Sequence, residues 1–352
     1  MRHRRFLVTG GTGLVGNNVV RLLASLHEAD HHVSVRCLVR PRRGPHDGQP
    51  TAPLREFAGV TVELVEGDLS DPIVLERACD GVDAVIHAAA TVHVGWTGLE
   101  DMRRVNVEGT RCVARAARHT GARLVHVSSV DAIGLRSDGQ PADEETACGG
   151  LLECPYVVTK REAEQAVLGE VERGLDAVIV NPVYMLGPWD WKPSSGRMLL
   201  EVASGRGLLA PPGGNDFADV RDVAAGVLSA LDRGRCGKRY ILGGWPLRYI
   251  DAWRVFATVA GRRPPWGQAR PRWVAIAGRV GDLVARVTGR EGPVNSAATG
   301  MSRLSHHFSF ERAATELGYS IRPFEPTVED AWRWFVEYGT VRPKASVAAP
   351  RA

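Results

Sequence analysis

Short apolar runs alternate with longer stretches of helical periodicity along the first half of the chain. Phe6-Leu7-Val8 is a run of strand length, and the segment from Val15 to Leu26 repeats its apolar residues at helical spacing, ending near His27. A second run covers His32 to Val39, a third Val60 to Val65, a fourth Ala84 to His87 and a fifth Leu124 to Ser128. Helical patterns at Pro72 to Cys79 and Leu99 to Thr120 separate the later runs, and Arg42 to Arg55, rich in Pro, Gly, Arg and Gln, reads as a surface loop. Strands alternating with helices in this way predict an α/β fold with a doubly wound parallel sheet and right-handed crossovers.

The periodicity breaks after Pro188, where Trp189, Trp191, Met198, Leu199, Leu208, Leu209 and Phe217 gather beside Pro193, Pro211 and Pro212. That composition predicts a smaller lobe whose large side chains pack it and in part line a pocket for a flat, apolar ligand. The expected organisation is a dinucleotide-binding domain over 1–180 with return segments at 217–245, then a substrate lobe and closing helices over 181–338. Residues 339–352 lack periodicity and are expected to be disordered. Trp273 to Val287 alternates apolar and basic residues at helical spacing, with Arg272, Arg279 and Arg286 on seven-residue steps. A membrane-surface helix has this pattern, and so has a helix lying across a protein core, which is the expectation here.

Length and composition fit one core with a smaller lobe: 352 residues, 44% hydrophobic. The net charge of +4 is spread along the chain apart from Arg2 to Arg5 and Arg40 to Arg43, so nucleic acid is not an expected partner. Six cysteines form no C-x-x-C pair and are read as reduced thiols of a cytoplasmic protein. No run reaches the roughly 18 apolar residues of a membrane span. His306-His307 has no Cys or carboxylate cluster nearby, so no metal is expected.

The chemistry concentrates in three places. Gly10, Gly13 and Gly16 stand at G-x-x-G-x-x-G spacing between the first strand and helix, with Thr12, Leu14 and Val15 in the same turn. Residues without a Cβ let a pyrophosphate approach backbone N–H groups at a helix N-terminus, so a dinucleotide is the expected ligand. Arg40 ends the second strand where an acid would accept from ribose hydroxyls; with Arg42 and Arg43 it predicts NADP(H) over NAD(H), a solvated turn being the alternative. Asp68, followed by Leu69, could accept from the adenine amino group or cap the helix at Pro72. Ala88, Ala89 and Ala90 open the fourth strand's end for ribose and phosphates, and Asn106 in the following helix is a further candidate cofactor residue. His93 and Trp96, in the loop after that strand, are candidates to face the substrate.

The third place is Ser129 with Tyr156 and Lys160. Tyr and Lys four apart share one helix face, so an ammonium could favour the phenolate and bring the phenol's pKa toward neutrality. Lys160 can also reach the nicotinamide ribose, and Ser129 can hold a substrate oxygen. With the glycine turn and the Ala-rich strand end, these residues make the chain resemble the extended short-chain dehydrogenase/reductase superfamily over residues 5–338. The resemblance implies a Rossmann-type fold, Tyr156 as acid/base, Lys160 as its partner and ribose anchor, and Ser129 as oxyanion partner. It also implies that the strand-end segment from Asn181 to Pro188 passes the nicotinamide, making Pro182 and Val183 cofactor residues and Tyr184 and Met185 candidates for substrate.

The run from Val178 to Arg197, and Arg239 to Gly244, is similar to the dihydroflavonol 4-reductase-like branch, which includes hopanoid-associated sugar epimerases. Sugar-nucleotide epimerases usually carry Asn at the place of Tyr184 and Ser or Thr at that of Asp131; both are absent. The expected function is NADPH-dependent reduction of a carbonyl or related electrophilic carbon of a small apolar or aromatic metabolite. The alternatives are an NAD-dependent sugar-nucleotide epimerase or dehydratase and a non-catalytic NADP-sensing protein. A homodimer through Leu99 to Thr120 and Tyr156 to Val171 is expected from the superfamily.

Overall fold

The computed structural model describes residues 3–30, 32–41, 55–338 and 340–341. The chain begins β1 (Arg4–Thr9), α1 (Leu14–Asp30), β2 (Val33–Val39), β3 (Glu63–Glu66), α2 (Pro72–Cys79), β4 (Ala84–His87), α3 (Leu99–Met102), α4 (Gly109–Thr120) and β5 (Arg123–Val127). It continues through α5 (Pro155–Val171), β6 (Ala177–Pro182), β7 (Tyr184–Leu186), α6 (Gly196–Ala203), β8 (Leu209–Ala210), β9 (Gly214–Asp219), α7 (Val220–Arg233) and β10 (Arg239–Leu242). The last part holds β11 (Trp245–Arg248), α8 (Tyr249–Val259), β12 (Gly267–Gln268), α9 (Pro271–Thr288), α10 (Ser296–Met301), β13 (Ser305–His306) and α11 (Phe324–Glu337).

Seven strands form the expected parallel sheet in the order β10-β6-β5-β4-β1-β2-β3. Successive side chains of a strand point to opposite faces. Val8, Ile86, Val125 and Val180 therefore meet Val19, Val20 and Leu23 of α1 and Val223 and Val227 of α7. Leu7, Val85, Leu124 and Ile179 meet Leu75 and Ala78 of α2, Val113 and Ala117 of α4 and Val167 of α5. Strand order reverses between β1 and β4, so a crevice opens at their carboxyl ends. A smaller sheet, β11-β9-β13 with β7 beside β9, carries the lobe. There Phe217, Phe256, Phe324, Trp334 and Phe335 are the core, joined by Trp189, Trp191, Met198 and Leu199, while Leu208 and Leu209 stay exposed.

Several expectations need correction. β3 starts at Glu63 instead of Val60, because Val60 and Val62 pack against the core from the preceding loop. The helix read from Leu99 to Thr120 contains a π turn, Arg103–Glu108, one extra residue that apolar spacing does not reveal. Val341 packs on the lobe core and its N–H donates to Phe335, so the described part of the tail is docked; residues 342–352, like Arg42 and Arg43, lie outside the described residues.

The largest departure is α9, which does not lie across a core. Its only buried residue is Gly278, and Trp273, Ile276, Val280, Leu283, Val284 and Val287 are exposed. The reason is steric. A Cβ at Gly278 would collide with Thr299 and one at Gly281 with the Val294 carbonyl, so the helix seats its glycine face on α10 and turns its apolar face outward. All six cysteines are free thiols, and among the described residues no helix is long and apolar enough to cross a membrane.

Gly16 lies so close to the Gly10 carbonyl that an added Cβ would overlap it. Gly16→Ala should therefore cost about 1–3 kcal/mol as overpacking, read from urea unfolding. Gly292→Ala, where a Cβ meets nothing within 4 Å, should stay within about 0.5 kcal/mol.

Candidate active site

The glycine turn does two separate jobs. Gly10 has φ +75, and a Cβ there would stand 2.5 Å from the Ala89 nitrogen and 2.6 Å from the Ala88 carbonyl carbon, so Gly10 is what lets β1 end against β4. Gly13 is exposed, and an added Cβ would meet only the Gly10 oxygen, at 3.3 Å. Its face is the open one. Asn17 supports the turn from below, its side-chain amide donating to Gly11 (3.0 Å) and Glu56 (2.7 Å) carbonyls. Thr12 and Val15 are half-buried and Leu14 is buried, so their contribution to a ligand is through the backbone at the start of α1. An anion fits this cradle because the first turn of α1 has no acidic side chain to repel it.

Around the crevice, Arg40 is exposed directly after β2. Asp68 is exposed and accepts from the Ser70 hydroxyl at 2.7 Å and its N–H at 2.9 Å, contacts that hold its carboxyl below the ordinary range with help from Arg40 and Arg104. It does not cap α2. Asp71 does, accepting from Ile73 and Val74. Leu69 packs against Gly109. Ala88 and Ala89 are half-buried and Ala90 exposed, leading outward from β4. Pro182 ends β6 and Val183 follows it, its N–H donating to the Leu242 carbonyl. Asn106 departs from its reading as a cofactor residue. It is buried in the π turn and spends its amide on the Thr91 backbone, at 2.7 and 3.0 Å, and on Thr159, so it fixes the loop after β4.

The fold brings Ser129, Tyr156 and Lys160 together. Tyr156, Lys160 and Glu164 follow one another at four-residue steps along the buried stripe of α5. The Tyr156 hydroxyl lies near enough to Ser129 for that side chain to favour its ionised form. Ser129 Oγ in turn caps a short turn, accepting from the Asp131 N–H and donating to the Asp131 carboxylate, both at 3.2 Å. The Asn181 amide donates to the Ser129 carbonyl (2.8 Å) and to Glu164 (2.6 Å), and Arg239 pairs with Glu164 at 2.8 Å.

The electrostatics run opposite to the sequence expectation. Burial pushes the Tyr156 phenol above its ordinary value, Asp131 adds to that, and Ser129 only partly opposes it. Lys160 is itself pushed down to about 8 by burial, in spite of Glu164 and Asp131, and its ammonium donates to the Val127 carbonyl at 3.3 Å. A buried phenolate loses more hydration than these neighbours return. Behind Lys160, the rings of His87 and His126 stack with centroids 5.4 Å apart, His87 lying between the hydroxyls of Thr9 (2.6 Å) and Thr110 (2.9 Å). Burial drives both imidazoles down, His87 to about 3, so they stay neutral beside the ammonium.

On the substrate side, His93 and Trp96 sit in a loop that Glu291 clamps from the far end of the chain. Glu291, its side chain 5% exposed, accepts from His93 (2.8 Å), the Trp96 N–H (2.8 Å) and the Thr97 hydroxyl (2.6 Å). The Trp96 indole donates to Ser296. Tyr184 departs from its reading as a substrate contact: its hydroxyl donates to the Ser195 carbonyl and its ring meets Phe217 edge-on, which makes it lobe core. Met185, half-buried, packs against the sheet core. His307 pairs with Asp216 at 2.9 Å, giving that histidine a structural partner.

The lobe is fastened to α1. Arg21 stands over the Trp189 ring at 3.3 Å, the Asn18 amide donates to Pro188 at 3.0 Å, and Trp189 holds φ 72.

Sequence reasoning missed Glu164, Asn181 as a holder of Ser129, and Glu291. The first had a signal, the next four-residue step after Tyr156 and Lys160. Glu291 had none, since its partners lie 194 to 198 positions away.

The model of the NAD dependent epimerase/dehydratase family matches residues 6–243. A Synechocystis sp. protein assigned as a dihydroflavonol 4-reductase is 34% identical, with 96% of each chain covered. Sterol demethylase protein B of Methylococcus capsulatus is 32% identical over 95% of this chain and 99% of its own. The crystal structure of gox2253 superposes with a TM-score of 0.80 at 38% identity, covering 96% of this chain and 99% of that one.

Two outcomes follow from this geometry. Because the Gly13 face is open, Gly13→Ala should leave the unfolding midpoint nearly unchanged while weakening nicotinamide dinucleotide binding by about tenfold or more, measured by fluorescence titration. Glu291 is opposed by burial, yet hydrogen bonds from Thr97, Trp96 and His93 hold its carboxyl down to about 2. A depressed carboxyl stabilises the fold above its unfolded pKa of about 4.3 and loses that contribution as pH falls toward about 2. The stability advantage of wild type over Glu291→Gln should thus be full at neutral pH and shrink below the ordinary glutamate range; a pH-independent difference in thermal midpoint would show that the charge is not what holds the loop.

Proposed function

This chain belongs to the NAD dependent epimerase/dehydratase family, and on that premise we propose that it is an NADPH-dependent reductase of a carbonyl or related electrophilic carbon in a small apolar or aromatic metabolite. It is an NAD(P)-dependent enzyme of the extended short-chain dehydrogenase/reductase type. The observation that supports the reductive reading is the juxtaposition on the buried stripe of α5 of Tyr156, a phenol protonated at neutral pH, with Lys160, beside Ser129 just after the end of β5. A dinucleotide held by its pyrophosphate at the glycine turn would supply the hydride from its nicotinamide. Ser129 then orients the substrate oxygen, Tyr156 gives that oxygen its proton, and Lys160 holds a positive charge beneath the phenol as the proton leaves.

Arg40, exposed directly after β2, supports NADP as a partner for the 2′-phosphate. The aromatic lobe and the sterol named for the Methylococcus relative support an apolar substrate. The rival is the epimerase or dehydratase reading, against which Asp131 counts, since its carboxylate stands beside Ser129 where sugar-nucleotide epimerases usually carry Ser or Thr. Purified protein that carries NAD and converts a nucleotide sugar with no net change in nicotinamide absorbance would decide for that reading. A homodimer through α4 and α5, the expectation from the superfamily, is tested by sedimentation.

Tyr156→Phe should cut turnover by roughly 10² to 10⁴ and leave NADPH affinity nearly intact. Lys160→Ala should lower both together. Near wild-type turnover in Tyr156→Phe would move the proton source to Asp131 or water. For the cofactor, Arg40→Asp should reverse the preference from NADP toward NAD, since a charge-assisted contact is worth about 1.5–3 kcal/mol before repulsion is added. Unchanged relative affinities in isothermal titration would show that Arg40 serves only the solvent.

A further inference from the structure

The helix α9 is built the reverse of an ordinary surface helix. Its inner face is Gly278 and Gly281, seated on α10 and the segment before it. Its outer face carries Trp273, Ile276, Val280, Leu283, Val284 and Val287, ranging from 45% exposed at Ile276 to 81% at Val287. Helical geometry of about 100° per residue places all six within an arc of about 100°, centred opposite Gly278. Soluble proteins expose apolar side chains singly, whereas a continuous stripe of this kind marks a surface that something covers.

Charge identifies what covers it. Arg272, Arg279 and Arg286, all exposed, form a row along one flank of the stripe. None of the three makes an ion pair among the described residues, and Arg272 lies over the Trp273 ring at 5.7 Å. The single acid of the helix, Asp282, is turned inward, accepting from the Ser296 N–H at 2.9 Å. Leu208, Leu209 and Trp266, at the paired strands β8 and β12, are exposed as well, Trp266 at 79%.

We propose that α9 is a membrane-surface helix that seats this enzyme on the headgroup region of an anionic bilayer. The stripe enters the interface, the arginine row meets lipid phosphates, and the tryptophans lie at the boundary where one end of the indole is apolar and the other wet. No helix among the described residues can span, so the attachment is peripheral. A second copy is the poorer occupant. Two stripes packed antiparallel about a twofold axis would set the arginine rows side by side, and Asp282, the one carboxylate of the helix, is turned inward and does not meet them. The seat lies next to the candidate active site in the chain: Glu291, three residues beyond the end of α9, clamps the His93 to Thr97 loop. The inference does not depend on which reaction the site performs.

Flotation of the full chain with vesicles tests it. Wild type should float with vesicles of equal parts phosphatidylcholine and phosphatidylglycerol, less with phosphatidylcholine alone, and less at high salt. Leu283→Asp with Val287→Asp should lower the bound fraction by about tenfold or more, since both apolar groups leave the interface. Arg272→Glu, Arg279→Glu and Arg286→Glu together should remove the preference for the anionic vesicles. These side chains are exposed, so the thermal midpoint and dinucleotide affinity should not change in either variant, which separates lost attachment from lost fold. Wild type that remains unbound on both vesicles overturns the proposal. So does a Leu283→Asp variant that halves the solution mass by light scattering while wild type ignores vesicles, an outcome that assigns the stripe to a second copy.

Discussion

Glu164 has no access to water, and the groups that satisfy it fix the geometry of the catalytic face. Burying a carboxylate costs several kcal/mol unless its partners are well placed, and removing one partner is more costly than never having built the pair. Here the partners come from three directions. Arg239 reaches in from β10 at the sheet edge, Asn181 from β6, and Lys160 stands one turn away on α5 with a charge that Glu164 favours. Asn181 also holds the carbonyl of Ser129, so that candidate site residue is anchored to the same acid. β10 comes after β7, β8 and β9 in sequence, so the site depends on a strand that rejoins the sheet once the chain has passed through part of the lobe.

How much of this was legible depended on whether the determining contact was local. Strands buried on both faces must be apolar throughout, so β1, β2, β4 and β5 stood out as runs bounded within a residue or two. An edge strand has no such requirement, and β3, with Glu63, Leu64 and Glu66 exposed, was placed too early. The apolar pattern of α9 was visible, but a pattern states that a helix has two faces and not which one is turned outward. That was decided by Gly278 and Gly281 meeting α10, a contact in tertiary space.

The site divides in the same way. Gly10, Gly13 and Gly16, and Tyr156 with Lys160, are spaced by the geometry of one turn and one helix, so their roles could be argued from position alone. The protonation of Tyr156 could not, because it is set by burial and by Asp131, whose distance from the phenol no spacing encodes. Asp71 displaced Asp68 as the cap of α2 because a cap must sit directly before the first turn. Asn106 lies where the cofactor face was expected, yet its hydrogen bonds go to Thr91 and Thr159, leaving the loop and not the ligand as its partner.

The backbone at Trp189 is the one non-glycine position with positive φ among the described residues, a conformation that costs on the order of 1–3 kcal/mol and persists only where its surroundings impose it. The groups that impose it, Arg21 on the ring and Asn18 on the preceding carbonyl, both project from α1. The same helix opens with the glycine turn, which its Asn17 holds by side-chain hydrogen bonds. One rigid element therefore fixes both the strained backbone of the lobe and the turn at the crevice, so that neither can shift without carrying the other.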